Sequence, residues 1–207
     1  FCFVNIYSQN IGYISIESGF NLSKFNFKDS ETKSSFEMDD YYPSPNQRVL
    51  LGFDIYKNFD FLLSAGYNKY KIIGKSIDIY NSRLSYDLNY ISLSSGIGYE
   101  FTLTDRTKIM LNGDLTFNNF ISGYQDVGSS TFNLENYNFQ KNSFGYKYGC
   151  ALSYDILTNL SVYLKYNLSE FFNMNDNTLI YNISSHIYSI GIQFCPFNEY
   201  EIYNNKL

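Results

Sequence analysis

One histidine, three cysteines and a thin scatter of charges are the side chains of this chain that could do chemistry. His186 follows Ser184 by two residues, and Glu170 lies on the preceding alternating segment. If residue 168 faces residue 188, Glu170 faces His186, and the three supply the residue types of a hydrolase triad. A shift of two residues in that pairing would put Ser184 where His186 stands. The same residues suit a polar belt, which is the favoured reading. A second set, Glu17, Asp114, Lys147 and Lys165, falls in the middle of alternating segments, always on the polar face. Opposite charges brought together away from water should pair, because an unpaired one costs several kcal/mol. Cys2, Cys150 and Cys195 show no CxxC or metal-type spacing, and a Cys2–Cys195 bridge would need the chain ends to meet. No HExxH, GxSxG, calcium-loop or phosphate-loop motif occurs, so no catalytic, metal or cofactor site is expected.

The elements that must position these residues are strands. Period-two alternation runs through 11–22, 48–56, 61–70, 90–101, 108–117, 143–156, 160–170 and 186–194. That makes eight segments, each with one apolar and one polar face. Short turns are expected at 57–60, 102–106 and 157–159, and long polar loops at 24–47, 71–87 and 121–142, with a shorter one at 173–182. Short turns on one rim and long loops on the other describe an all-β, eight-stranded antiparallel up-and-down barrel.

Composition narrows the setting. Charged residues are 17% against aromatics at 20%, which opposes a disordered chain. No apolar run reaches the ~18 residues of a membrane helix. The net charge of −5 and the absence of a Lys/Arg cluster argue against a nucleic-acid partner. Residues 1–8 are expected to be the remainder of a secretory signal, residues 9–195 the barrel, and residues 196–207 a short tail.

Alternation alone does not say which face points inward; the chemistry of the polar face does. It carries Gly19, Gly52, Gly66, Gly96, Gly98, Gly145, Gly149 and Gly191 among Ser and Asn, as the crowded wall of a narrow barrel requires. The other face is aliphatic in mid-strand and rich in Tyr and Phe towards the ends, as a lipid-facing band would be. A transmembrane barrel with short periplasmic turns and long outer loops is therefore expected. Leu51, Leu63, Leu93, Leu111, Leu152, Leu164 and Ile190 should then point outward.

The last segment, HIYSIGIQF at 186–194, resembles the C-terminal signature of outer-membrane barrels, ending in Phe194. The stretches FLLSAGYNKYKI at 61–72 and YDLNYISLSSGIGYEF at 86–101 resemble consecutive strands of small OmpX-like and PorT-like barrels of the Bacteroidetes type. The resemblance covers about residues 10–195. It implies an eight-stranded barrel in the outer membrane of a Gram-negative bacterium, with no single activity attached. The chain departs from the pattern by continuing through CPFNEYEIYNNKL after Phe194.

The expected function is that of a non-enzymatic outer-membrane protein with a plugged polar lumen. It would serve membrane integrity, or adhesion and partner binding through its outer loops. Its surroundings would be the bilayer and lipopolysaccharide, with an envelope protein as a loop-bound partner, and it would be a monomer without cofactors. The alternatives are a lipid A-modifying barrel enzyme and a soluble lipocalin-like carrier. Two side-chain contacts are also expected. Phe101 opposite Thr107 would set Glu100 against Lys108, and Asp114 would lie within reach of Lys147 or Lys165.

Overall fold

The computed structural model describes residues 11–28, 36–76, 83–136, 142–173 and 180–196. The expected signal remnant, Cys2 and the tail from residue 197 lie outside the described residues.

Eight long strands form the wall: β1 (Ile11–Lys28), β3 (Pro43–Tyr56), β4 (Phe59–Ser76), β5 (Arg83–Thr104), β6 (Thr107–Val127), β8 (Asn142–Leu157), β9 (Leu160–Asn173) and β10 (Ile180–Phe194). Each pairs antiparallel with the next, and β10 closes on β1. Two short strands extend the outer rim. β2 (Phe36–Tyr41) pairs with the outer end of β4, and β7 (Ser130–Asn133) folds back on β6. Three connections on the other rim are tight: Lys57–Asn58, Asp105–Arg106 and Thr158–Asn159. Lys57 takes a positive φ of 47° to make the first.

The register fixes the barrel's shape. A walk along paired residues from Ser15 passes Leu50, Ser64, Ser94, Thr116, Gly145, Phe171 and Ile183. It returns to β1 at Phe25, ten residues on. Eight strands with that stagger tilt at roughly 40° and leave an interior wide enough only for side chains.

The outward face is apolar. Ile16, Leu115 and Leu164 are 66%, 70% and 62% exposed. Leu63, Leu93, Leu111, Leu152 and Ile190 are exposed with them, and Leu51 is half-exposed on the same face. Aromatic rows bound this belt on both sides. Near the short turns, Phe53 meets Phe61 at 6.3 Å and Phe59 meets Tyr99 at 4.6 Å. Near the other rim, Phe20 stacks on Tyr188 at 5.3 Å and Phe117 meets Phe144 at 5.0 Å. Between Ile91 and Phe101 the belt on β5 covers ten residues, or roughly 25 Å at the strand tilt. A wall with this chemistry is satisfied only by hydrocarbon, and closure pairs its backbone groups internally. The chain is an eight-stranded transmembrane β-barrel. A soluble carrier, whose apolar face would point inward, does not fit it.

The strands run well past their expected ends. β5 starts at Arg83 rather than Tyr90, and β4 continues to Ser76 rather than Tyr70. Most of what the sequence marks as outer loop is therefore ladder. Above the belt the two faces exchange character. Leu84, Leu88 and Tyr90 turn inward and are buried, while Arg83, Ser85 and Asp87 turn outward.

Candidate functional site: the lumenal charge layer

The lumen is stacked in three layers. Nearest the short turns, Tyr13, Leu50 and Leu62 are buried together, with Met110 and Cys195 packed on them. Nearest the outer rim, Tyr70, Ile72, Leu88, Tyr90, Leu134, Phe171 and Ile183 form an apolar seal. Charges and amides fill the space between. A cavity of about 20 Å³ touches Glu17, Tyr163 and Lys165 in this middle layer.

Glu17 is the centre of the layer and is 1% exposed. Its register partner on β3 is Arg48, whose Nη1 lies 3.7 Å from Glu17 Oε2. From β9, Lys165 Nζ reaches Glu17 Oε1 at 3.2 Å, and the Tyr163 hydroxyl donates to the same oxygen at 3.0 Å. The Tyr163 oxygen in turn accepts from the Ser15 hydroxyl at 3.1 Å. Gly191 makes this possible, because a Cβ there would sit 2.2 Å from the Tyr163 ring. The glycine lets the ring lie flat against β10 and carry its hydroxyl across the narrow lumen.

The four residues singled out by sequence are all buried on the lumenal face: Glu17, Asp114, Lys147 and Lys165. Glu17 and Lys165 meet. Asp114 and Lys147 are cross-strand partners, yet their polar ends bond to different groups. Asp114 Oδ2 accepts from Asn112 Nδ2 at 3.0 Å, and Lys147 Nζ donates to Ser94 at 2.8 Å. No ion pair within 4 Å engages Asp114 among the described residues, so the expected bridge to Lys147 or Lys165 is not formed. The physical reason is competition: Glu17 already gathers Lys165 and Arg48, and Asn112 lies two residues along Asp114's own strand. Arg48, Tyr163 and Ser94 are the members that sequence reading missed. Arg48 looked like a strand end because the segment was started there. β3 begins at Pro43, which places Arg48 mid-wall.

Two other expectations meet the register. Phe101 pairs with Ile109, not Thr107, so Glu100 and Lys108 are offset by two residues. Their side chains still close the diagonal at 3.0 Å. His186 pairs with Leu168, and Ser184 pairs with Glu170. His186 Nδ1 shares a hydrogen bond with the Tyr166 hydroxyl at 2.8 Å, and Glu170 accepts from the Tyr146 hydroxyl at 2.6 Å. The expected facing of Glu170 and His186 is thus not formed, and His186 and Glu170 are each bonded to a tyrosine of the outer aromatic row. Cys150 is an exposed free thiol on the outward face, and Cys195 is half-buried and free. No three His, Cys, Asp or Glu residues converge as a metal would need among the described residues.

The arrangement can hold charge rigidly in a narrow lumen.

No protein-family model matches the chain, and no curated protein matches it in sequence. Solved structures do match in fold. The Neisserial surface protein A superposes with a TM-score of 0.53 at 16% identity, over 88% of this chain and 96% of its own. The outer membrane protein OprG of Pseudomonas aeruginosa gives 0.53 at 12% identity, over 90% and 96%. The outer membrane protease OmpT of Escherichia coli gives 0.50 at 10% identity, over 92% and 99%. This chain is similar to all three in architecture: a closed antiparallel transmembrane barrel of the outer-membrane type.

Proposed function

We propose that this is a non-enzymatic, monomeric outer-membrane protein of a Gram-negative bacterium. Its lumen is a plug, and its outer rim is the working surface. The observation that supports this reading is the lumen's filling: two apolar layers enclose a layer of hydrogen-bonded charges and amides, with a cavity of about 20 Å³ beside it. Among the described residues, a hydrated ion meets buried apolar side chains on both sides of the charge layer.

The work then falls to the rim that extends beyond the belt, where strand extensions, β2 and β7 present outward polar residues such as Arg83, Ser85, Asp87 and Asp126. Such a surface suits adhesion, contact with lipopolysaccharide head groups, or an envelope protein partner. The likeness at 61–72, 86–101 and 186–194 to OmpX-like and PorT-like barrels belongs to the same reading. One neighbour in fold is named a protease, so architecture alone does not decide activity; the engagement of His186 by Tyr166 and of Glu170 by Tyr146 favours the non-enzymatic choice. Planar-bilayer recording of the refolded protein tests the plug. We expect no steady conductance steps, and a reproducible open level would overturn the reading.

A further inference from the structure

The wall has a flaw on one side. The β3–β4 register runs down to Asn46↔Asn68 and resumes as β2–β4 at Tyr41↔Ile72. Between these points residues 42–45 of one side face only 69–71 of the other. Pro43 and Pro45 fall in this gap, and neither can donate a backbone hydrogen bond. The opposite edge of the same segment stays intact, with Phe20↔Pro45 and Leu22↔Pro43 paired to β1. The parting is therefore confined to the β4 side.

Lumenal side chains stand in for the missing rungs. Asn21 Nδ2 donates to the Lys69 carbonyl at 3.1 Å, where the amide of residue 45 would have donated. The Lys71 amide donates to Ser44 Oγ at 2.9 Å. Asn46 Nδ2 donates to Asn21 Oδ1 at 3.0 Å and holds that amide in place. These stitches come from rotatable side chains, so the seam can part without breaking a ladder.

Two buried polar atoms on the flanks of the seam are left without partners. Asn46 Oδ1 is an orphan acceptor and the Tyr70 hydroxyl an orphan donor, on residues 2% and 1% exposed. Such atoms are costly unless something supplies the complement. Outside, four residues below Pro45 and Lys69, the opposed Val49 and Ala65 begin an apolar furrow of about 910 Å³. Leu63, Leu93, Leu115 and Phe144 continue it across the lipid-facing wall.

We propose that this seam is a side port for a single-chain amphiphile with a hydroxyl-bearing head. The tail lies in the furrow within the bilayer. The head enters between Pro45 and Lys69, displaces the Asn21 stitch, donates to Asn46 Oδ1 and accepts from the Tyr70 hydroxyl. The port opens sideways above the charge layer, and Tyr70 of the outer seal forms part of its wall.

Native mass spectrometry of the folded protein tests it, with a 1-monoacylglycerol compared against the fatty-acid methyl ester of equal chain length. The wild-type protein should retain one monoacylglycerol in preference to the ester. Tyr70→Phe and Asn46→Ala should each cut that preference about three- to tenfold, the worth of one net hydrogen bond. Pro45→Val restores an amide to the seam and should lower monoacylglycerol retention to the level of the ester. The folded gel migration of each variant separates lost binding from lost folding. Equal retention of the two probes by the wild-type protein would overturn the port. So would a preference untouched by both Tyr70→Phe and Asn46→Ala, or full retention by folded Pro45→Val.

Discussion

Below the outer aromatic row the barrel is apolar outside and polar inside; above it the assignment is reversed. On β5, Ile91, Leu93 and Ile97 face outward with Ser92, Ser94 and Gly96 behind them. A few residues up the same strand, Arg83, Ser85 and Asp87 face outward with Leu84 and Leu88 behind. One strand obeys both rules because the medium outside it changes, from hydrocarbon to water. The lower half uses buried ion pairs and amides to fill its core. The upper half has a hydrophobic core of the kind a water-soluble domain would have.

The largest test of that contrast is Glu17→Gln. It leaves Arg48 and Lys165 facing each other without their counter-ion in a dry lumen. The expected loss is about 3–5 kcal/mol, read as a lower temperature for conversion of the folded gel band. Replacing Glu17, Arg48 and Lys165 together by neutral residues of similar size should recover part of it, since no buried charge is then stranded. An unchanged transition in Glu17→Gln would mean that water screens the layer.

Leu88→Ala probes the upper half by the opposite chemistry. Leu88 is fully buried in the seal between Tyr70, Tyr90 and Phe171. A cavity there should cost about 3–4 kcal/mol in denaturant unfolding. The same substitution at the outward-facing Leu115 should cost far less once the protein is in a bilayer. Equal losses would erase the distinction between the halves.

The outward face gives the next contrast. Leu115→Arg places a charge in the mid-belt and should cost about 2–4 kcal/mol on insertion into lipid vesicles. Tyr124→Arg, at an exposed position beyond the belt, should change it by about 0.5 kcal/mol or less. If both behave alike, the belt does not end where the faces exchange.

That exchange also explains what the sequence disclosed and what it hid. Eight strands, their faces and the tight rim were legible, because period two with a constant apolar parity survives across the bilayer. The strand ends were not, because the apolar residues switch parity at Tyr70 and Ile72 on β4 and at Leu84 and Leu88 on β5. A pattern that changes sides looks like a loop. The charge layer was legible as Glu17, Asp114, Lys147 and Lys165, yet its bonds were not. They depend on register, and a shift of two residues separates His186 from Glu170 and sets Glu100 diagonal to Lys108. Arg48 was hidden by the same parity effect at the start of β3, where Pro43 and Pro45 interrupt the alternation.

Asp114→Asn should weaken the fold less than Glu17→Gln, by about 1–2 kcal/mol. Its carboxylate rests on Asn112 rather than on a cation, and an amide oxygen can accept that bond. A loss as large as that of Glu17→Gln would show that Asp114 balances Lys147 across the lumen in solution.

The smallest effect belongs to the rim. Asp126 lies on β6 beyond the belt and ties the β6–β7 hairpin, accepting from Thr131 Oγ1 at 2.7 Å and from Ser85 Oγ at 2.9 Å. The hydrogen bond from Thr131, then that from Ser85, holds its carboxyl below the usual carboxylate value. A carboxyl whose folded value is depressed stabilises the hairpin above its unfolded pKa, which is about 3.9. That contribution fades as the pH falls through the folded value. Lowering the pH from about 5 to below 4 should therefore lower the protection of the Thr131 and Phe132 amides relative to their intrinsic exchange rates at each pH, while leaving the protection of belt amides such as Leu93 unchanged. The carboxyl is exposed, so solvent screens it and the shift in exchange should be modest. Asp126→Asn should remove the pH dependence while keeping one acceptor for Thr131. If the protection of Thr131 ignored pH in the wild-type protein, the hairpin would be held by its ladder alone, and the outer half would owe nothing to the charge at its tip.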